Sequence, residues 1–232
     1  MKKYLQRLYK TAEKSNYENI YSLLEKNIEA KVLDLGCDDG AVSLKIAQTI
    51  GTKNIFGVEI VDEKIKIAET NGIIVKKSDL NHKLDYENIF FDVVVVNQVI
   101  EHLYNSDVFL GEIYRILKPG GYAIISTENA SSWCNILASI LGWQIFSLTN
   151  FSSMKRGIGN PLALQKNFEP QNCSWNHIRI YNFHGLKEYC ELFNFKIEKI
   201  KGAGCFPLPN FIGNIDKTHC HFMTFKIKKQ LT

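Results

Sequence analysis

The stretch VLDLGCDDG, Val32 to Gly40, constrains this chain more than any other. Its first half is a short apolar run, Val32, Leu33 and Leu35, which breaks at Gly36. After Gly40 the pattern becomes helical, with Val42, Ile46, Ala47 and Ile50 on one side. A buried strand, a tight glycine turn and a helix make up the start of a nucleotide-binding α/β unit. Glycine carries no Cβ, so backbone can approach a ligand closely. The helix that follows aims its first amides at whatever lies above the turn.

The spacing inside the turn narrows the ligand. A dinucleotide turn reads GxGxxG and seats a pyrophosphate on the helix N-terminus. Here Gly36 is followed by Gly40, and Asp38 and Asp39 stand between them. Two carboxylates repel a pyrophosphate and suit a ligand with cationic groups and no phosphate. At these residues the chain resembles motif I of the class I S-adenosylmethionine-dependent methyltransferases, usually DxGxGxG. Asp34, Gly36 and Gly40 match that motif, and Asp38 takes the place of its middle glycine.

The rest of the chain is read in strands and helices. Tyr4, Leu5, Leu8, Tyr9 and Ala12 share one face of an amphipathic helix whose other face is rich in lysine. Ser15 and Glu18 have capping-box spacing and predict a second helix through Ile28. Strands are expected at Lys31–Leu35, Asn54–Val58, Ile73–Lys77, Phe91–Val99 and Tyr122–Ser126, and helices at Ala41–Ile50, Asp62–Thr70 and Ser106–Leu117. Four consecutive valines, Val93 to Val96, describe a strand buried on both faces. Pro119, Gly120 and Gly121 should stop the helix before them. Such alternation predicts a doubly wound, mainly parallel sheet.

A segment from about 130 to 180 breaks this rhythm. No charged residue occurs from Asn129 through Met154, but polar residues dilute the apolar ones too much for a membrane span. It reads as an inserted cap over the ligand, an interfacial surface touching lipid, or extra core. After a helix at Phe183–Phe193, two strands, Lys196–Lys201 and His219–Lys228, follow without an intervening helix and predict an antiparallel hairpin. The expected organisation is N-terminal helices over 1–30, an α/β core over 31–129 and 181–232, and the cap over 130–180. A terminal hairpin, seven strands in all and a Rossmann-like core are what the methyltransferase resemblance implies.

Ligands in such sheets bind beyond the carboxyl ends of the strands. The polar groups at those ends converge: Gly36, Glu59, Asp79, and Asn97 with Gln98. The resemblance implies that Asp34, Gly36, Cys37, Asp38 and Gly40 hold the methionine end of S-adenosyl-L-methionine. It also implies that Glu59 and Ile60 meet the ribose, that Asp79 and Leu80 meet the adenine, and that Asn97 and Gln98 contact the cofactor and face the acceptor. The run from Asn97 to Gly121 resembles the small-molecule branch of the family (the type 11 and type 23 domains). It lacks the NPPY-type tetrapeptide used on nucleobase or glutamine amides.

The reaction implied is displacement of the sulfonium methyl, which leaves S-adenosyl-L-homocysteine. The expected acceptor is a small molecule, through a hydroxyl of a glycan, lipid-linked or quinone-like compound. His102 is the first candidate for a base, because imidazole titrates near neutrality, and His177 is the second. Trp133, Trp143, Arg179 and Tyr181 are the expected acceptor contacts. His219 and His221 share a face of the terminal strand, but no third ligand is evident, and no metal site is expected. The alternative is a non-catalytic, cofactor-binding member that acts through a partner protein.

Composition sets the remaining bounds. A formal charge of +4 over 232 residues is too small to argue for nucleic acid. Six cysteines without a CxxC pair argue for reduced thiols and a cytoplasmic setting. The N-terminus lacks the apolar core of a signal peptide. A monomer or homodimer, with lipid contact through the cap as the one further partner, completes the expectation.

Overall fold

The computed structural model describes residues 2–164, 176–206, 208, 212, 213 and 215–230. The parts of the expected cap and of the last connecting loop that fall at 165–175, 207, 209–211 and 214 lie outside the described residues. In chain order the elements are α1 (Lys2–Leu23), β1 (Val32–Leu35), α2 (Ala41–Ile50), β2 (Ile55–Glu59), α3 (Asp62–Thr70) and β3 (Ile74–Lys77). They continue with β4 (Phe91–Asn97), α4 (Ser106–Ile116), β5 (Leu117–Glu128), α5 (Trp133–Ile140), α6 (Phe183–Leu192), β6 (Phe195–Ala203) and β7 (Phe222–Lys229).

One seven-stranded sheet runs in the order β3-β2-β1-β4-β5-β7-β6. β7 is antiparallel to both β5 and β6, and the remaining pairs are parallel. This is the expected Rossmann-like, doubly wound architecture with its terminal hairpin. The chain reverses its winding at β1, where β2 lies on one side and β4 on the other. That reversal opens a crevice above the tips of β1 and β4.

The valine run shows why the sheet sits where it does. Val93 and Val95 face a core shared with Ile20 and Leu23 of α1 and Ile46 and Ile50 of α2. Val94 and Val96 face the opposite core, built with Phe109, Ile113 and Ile116 of α4 and Leu186 and Cys190 of α6. Each fully buried side chain of this size contributes roughly 1.5–3 kcal/mol relative to exposure. A third, smaller cluster joins Ala12 of α1, Cys134 of α5 and Phe206 and Phe222 of the terminal hairpin, and attaches the capping segment to the core.

The structure corrects several sequence expectations. Ser15 does not cap a second helix, because α1 is continuous from Lys2 to Leu23. Neither glycine nor proline interrupts it, and Ala12, Asn16, Ile20 and Leu23 bury as one stripe. Glu18 pairs instead with Lys14, at 3.9 Å. Leu117 to Gly121 joins β5 through a register shift between Phe91 and Val93, so the proline–glycine run bulges rather than forming a separate turn. Within the uncharged segment, Trp133–Ile140 forms a helix that the strand-and-helix reading did not place. His219 and His221 lie in the turn before β7 rather than alternating along it. No helix among the described residues is long and apolar enough to cross a membrane.

Candidate active site

The glycine turn is held open by its backbone angles. Gly36 (φ +78°), Asp38 (φ +47°) and Gly40 (φ +80°) are all left-handed. At Gly36 an added Cβ would lie 2.6 Å from Cγ2 of Val99, so this position is closed to other residues. Asp38 occupies the middle glycine's place because aspartate is among the few residues that tolerate the left-handed region. Its carboxylate is drawn off by Lys64 of α3, at 2.6 Å. Cys37 points away from the crevice into the core, against Gly57 of β2, whose missing Cβ leaves room for the sulfur.

Glu59 closes the turn from the neighbouring strand tip. Its Oε2 accepts from the Asp38 amide at 3.0 Å, and its Oε1 accepts from the amides of Ile60 and Val61 at 2.8 and 3.0 Å. A carboxylate offers about four acceptor positions. Three are therefore used by backbone, which leaves one for a ligand hydroxyl unless a bond to the loop yields. Ile60 itself is exposed beside this carboxylate. Asp34 is buried under the turn and accepts from Ser43 Oγ at 2.6 Å. Burial pushes its carboxyl up to about 7, against the Ser43 hydrogen bond and helped by the nearby charge of Glu59.

At the third tip, Asp79 Oδ1 accepts from the backbone and side-chain nitrogens of Asn81, at 2.9 and 2.8 Å. That makes Asp79 first an organiser of its own turn. Leu80 buries in the α4 side of the core. Asn81 then accepts from the amides of Tyr104 and Asn105, which ties this turn to the loop after β4.

The fourth tip carries the sharpest signs of a binding site. Gln98 is left-handed (φ +55°), and its buried Nε2 has no partner among the described residues. A strained backbone together with an orphaned buried donor is a marker of function. Asn97 beside it accepts from Asn16 of α1 at 3.0 Å, and Asn16 in turn accepts from Ser126 and Thr224. Tyr17 also bonds to Asn97, and burial first, then the carboxylates of Glu13, Asp38 and Asp34, raise its phenol. Thus α1, which carries no motif of its own, forms a wall of the crevice.

Beyond β4, Glu101 is fully buried, with Oε2 accepting from Thr127 Oγ1 at 2.8 Å and Oε1 without a partner among the described residues. Burial raises its carboxyl to about 7 despite the attraction of His177. His102 and His177 meet edge to face at 4.8 Å. His102 Nδ1 lies 3.0 Å from the carbonyl of Asn176, and His177 Nδ1 lies 2.6 Å from that of Ser147. Burial first, and His177 second, bring the His102 imidazole down to about 4, which makes it a weak proton acceptor near neutrality. Ligand atoms of Glu101, His102 and His177 lie within 4.8 Å of one another, close enough to share a cation.

The expected acceptor contacts are scattered. Arg179 donates to Ser106 Oγ and to the Tyr104 carbonyl, at 2.8 and 2.9 Å, and so braces the start of α4. Trp133 donates to Asp216 at 2.9 Å and packs on His219. Tyr181 stacks on Tyr189, and its buried hydroxyl has no partner among the described residues. Trp143 is half-buried in the turn after α5. Of these four, Arg179 is also tied to the loop after β4 by its backbone, its amide donating to the Glu101 carbonyl at 3.3 Å. Sequence reasoning passed over Glu101, Glu128, Tyr9, Asn16 and Tyr17. The one signal available for them was polar residues set within otherwise apolar runs.

The arrangement fits S-adenosylmethionine. An acidic, backbone-lined turn suits its cationic end, and the orphaned Gln98 amide and the remaining acceptor of Glu59 are unspent hydrogen-bonding groups beside it. A cavity of about 1150 Å³ also opens among α1, β5, the cap and the terminal hairpin.

Comparison with known proteins agrees. The family described as "Methyltransferase domain" matches over residues 1–200. The mitochondrial ubiquinone biosynthesis O-methyltransferase of Rattus norvegicus is 31% identical over 124 residues, covering 50% of this chain and 35% of that protein. The ubiquinone biosynthesis O-methyltransferase of Rickettsia prowazekii is 31% identical over 144 residues, covering 56% of this chain and 52% of that protein. This chain thus spans about a third to a half of the length of these curated relatives. A Thermotoga maritima structure, titled an S-adenosylmethionine-dependent methyltransferase and possible histamine N-methyltransferase, superposes with a TM-score of 0.66 at 18% identity, covering 96% of this chain and 91% of that one. A Mesorhizobium loti S-adenosylmethionine-dependent methyltransferase superposes at 0.62 with 16% identity, covering 96% and 100%. The match over residues 1–200 is decisive, and this chain belongs to the methyltransferase domain family.

Proposed function

We propose that this chain moves the methyl group of S-adenosylmethionine to a hydroxyl on a small, quinone-like or lipid-linked phenolic acceptor. The observation that carries the reading is the acidic turn at the tip of β1, held by the Glu59 carboxylate and flanked by the orphaned Gln98 amide. When bound, the cofactor supplies an electrophilic methyl on a sulfonium. Asp34 and Glu59 favour that positive charge, the Asp38 carboxylate being paired with Lys64, and Gly36 lets the backbone approach it. Gln98 and Asn97 stand where the acceptor must meet the methyl, and Tyr17 and α1 keep water from that side. The names of the rat and Rickettsia relatives support an oxygen acceptor on a quinone precursor.

The division into N-terminal helix, core and cap belongs to the same proposal, with residues 130–180 forming the acceptor region. So do a cytoplasmic setting and peripheral contact with lipid through the cap, where Ile140 and Met154 are 75% and 86% exposed. Incubation with methyl-labelled cofactor and a geranylated catechol tests the reading. Labelled methyl ether is the expected product. Binding of the cofactor without label transfer to this acceptor or to a cell extract would favour the second reading, a cofactor-binding member that acts through a partner protein. One observation favours that second reading: the turn carries Asp38, paired with Lys64, in place of the motif's middle glycine.

A further inference from the structure

His221 is the group in this molecule whose setting the crevice does not explain. Its side chain is 3% exposed, and its Nε2 is buried without a partner among the described residues. The backbone around it is pinned on both sides. The His221 amide donates to the Gly204 carbonyl at 2.8 Å, and the His221 carbonyl accepts from the Asn129 amide at 2.9 Å. Gly204 is left-handed (φ +76°), and an added Cβ there would lie 2.8 Å from Ala12 and 3.1 Å from the Cβ of His221. The turn thus brings the ring close against α1 at a position that only glycine allows.

The ring has apolar walls and one charged neighbour. Tyr9, Phe206 and Phe222 surround it at centroid distances of 5.8, 5.0 and 4.6 Å. Nε2 lies 3.9 Å from Glu128 Oε1, and Nδ1 lies 3.7 Å from Cys134 Sγ. A separation of 3.9 Å is too long for a hydrogen bond, but it sets a proton carried on Nε2 facing the carboxylate. His221, Glu128, Tyr9, Cys134, Phe146 and Phe206 all line the 1150 Å³ cavity. Glu128 ends β5, two residues beyond Ser126, which pairs with Asn97 at the tip of β4. The cavity floor therefore lies beside the crevice, at the same edge of the sheet.

From this geometry we infer that the cavity admits the hydroxyl-bearing end of an apolar acceptor, and that His221 Nε2 takes the hydroxyl proton with Glu128 beside it. The O–H bond breaks, an N–H bond forms on Nε2, and the electron pair stays on the acceptor oxygen. The imidazolium so formed faces the Glu128 carboxylate. The charges of the resting groups suit this exchange. Burial pushes the His221 imidazole down, against the pull of Glu128 and with some help from His177, so it rests neutral. Burial alone would raise the Glu128 carboxyl, but attraction to the imidazolium forms of His221, His177 and His102, with a hydrogen bond from Ser147, holds it below the usual range, so the carboxylate favours a protonated His221 over a neutral one. The groups facing His221 are therefore Glu128 from β5, His177 from the cap, Cys134 from α5 and Tyr9 from α1. The burial that weakens His102 as a base weakens His221 as well, so the transfer depends on Glu128, whose carboxylate stabilises the imidazolium once the proton has arrived.

The inference rests on the hydroxyl-acceptor reading above, and its test separates the two. 4-Nitrocatechol changes colour on ionisation, so its absorbance reports where its proton is, without cofactor and without turnover. At a pH where the free compound is protonated, the wild-type protein should bind it with the spectrum of the anion. His221→Gln should bind it with the spectrum of the neutral form. In transfer assays His221→Gln should lower turnover of a geranylated catechol by about 10²-fold while the more acidic nitrocatechol is nearly spared. Glu128→Gln, which keeps shape, should show the same pattern more weakly, and serves if the histidine variant fails to fold. A neutral spectrum in the wild type, no binding of the probe, or equal losses for both acceptors would overturn the inference. Anionic binding without methyl transfer would leave it standing and remove the proposed function instead.

Discussion

At the tips of β1 and β2 the proposed cofactor crevice is made by backbone, whereas at the tip of β5 the cavity is made by side chains from four separate elements. In the crevice, Gly36, Asp38 and Gly40 take left-handed angles, and Glu59 is fastened by three amides within a stretch of chain from Val32 to Val61. In the cavity, Tyr9, Glu128, Cys134 and His221 meet from sequence positions up to 212 residues apart (221 − 9). The first region is stiff because its hydrogen bonds are local and its angles admit few residues. The second is adaptable, because apolar side chains can be exchanged there without moving the sheet. A fold of this kind can thus keep one cofactor site and vary its acceptor.

The comparison predicts that equal substitutions will have unequal effects. Gly36→Ala should have the largest. Alanine in the left-handed region costs about 1–2 kcal/mol, and its Cβ would also meet Val99 at 2.6 Å. Cofactor binding, measured by calorimetry, should be lost, and the melting temperature should fall. Gly142→Ala in the cap has a similar angle, φ +68°, but no atom within 4 Å. It should carry only the conformational cost and leave cofactor binding intact. If both variants bind alike, the crevice is not the rigid region.

Glu59→Ala comes next. It leaves three backbone donors of the turn without their acceptor, each worth about 1–3 kcal/mol where water cannot replace it. Cofactor affinity should drop by well over tenfold at that cost, less where water reaches the amides. Unchanged affinity would show that the turn is preorganised without its clamp.

Asp34 offers a milder test, through pH. Its carboxyl, pushed up to about 7 mainly by burial, holds a proton in the free protein below that pH. A bound cation favours the ionised form, so binding should release this proton. Affinity should therefore rise with pH up to about 7, by at most about tenfold per unit, and level off above it. Calorimetry in buffers of different ionisation heat would detect the proton, and its absence would mean Asp34 stays protonated under the ligand.

Arg179→Ala should cost about 1–2 kcal/mol of stability through its two hydrogen bonds to the start of α4. It should leave KM for the acceptor unchanged, and a raised KM would return Arg179 to the acceptor site. The smallest effect on stability belongs to Ile140→Ser, on the exposed face of α5, within about 0.5 kcal/mol. Its expected consequence is weaker sedimentation with anionic vesicles. Equal sedimentation of the two forms would remove the cap from any lipid contact.

Much of the crevice was legible in the sequence because its physics is local. An apolar run ending in glycine, a helix of period 3.6 and an acidic residue at the next strand's end are all read within about 30 residues. The doubly wound sheet followed from the same alternation, and Val93 to Val96 announced a strand buried on both faces. Ser15 misled because capping spacing also occurs inside helices, and here the buried stripe of α1 decides in favour of continuity. His219 and His221 misled because strand alternation was assumed one turn too early.

What the sequence alone determined is the architecture and the acidic turn, since strand period, helix period and glycine conformation act between near neighbours. The tertiary structure alone decided that Asn16 of α1 reaches Asn97, that Arg179 braces α4, and that His221 meets Glu128 across the hairpin. Those contacts join residues far apart in the chain, and their partners are chosen by how helices and sheet pack rather than by any local spacing.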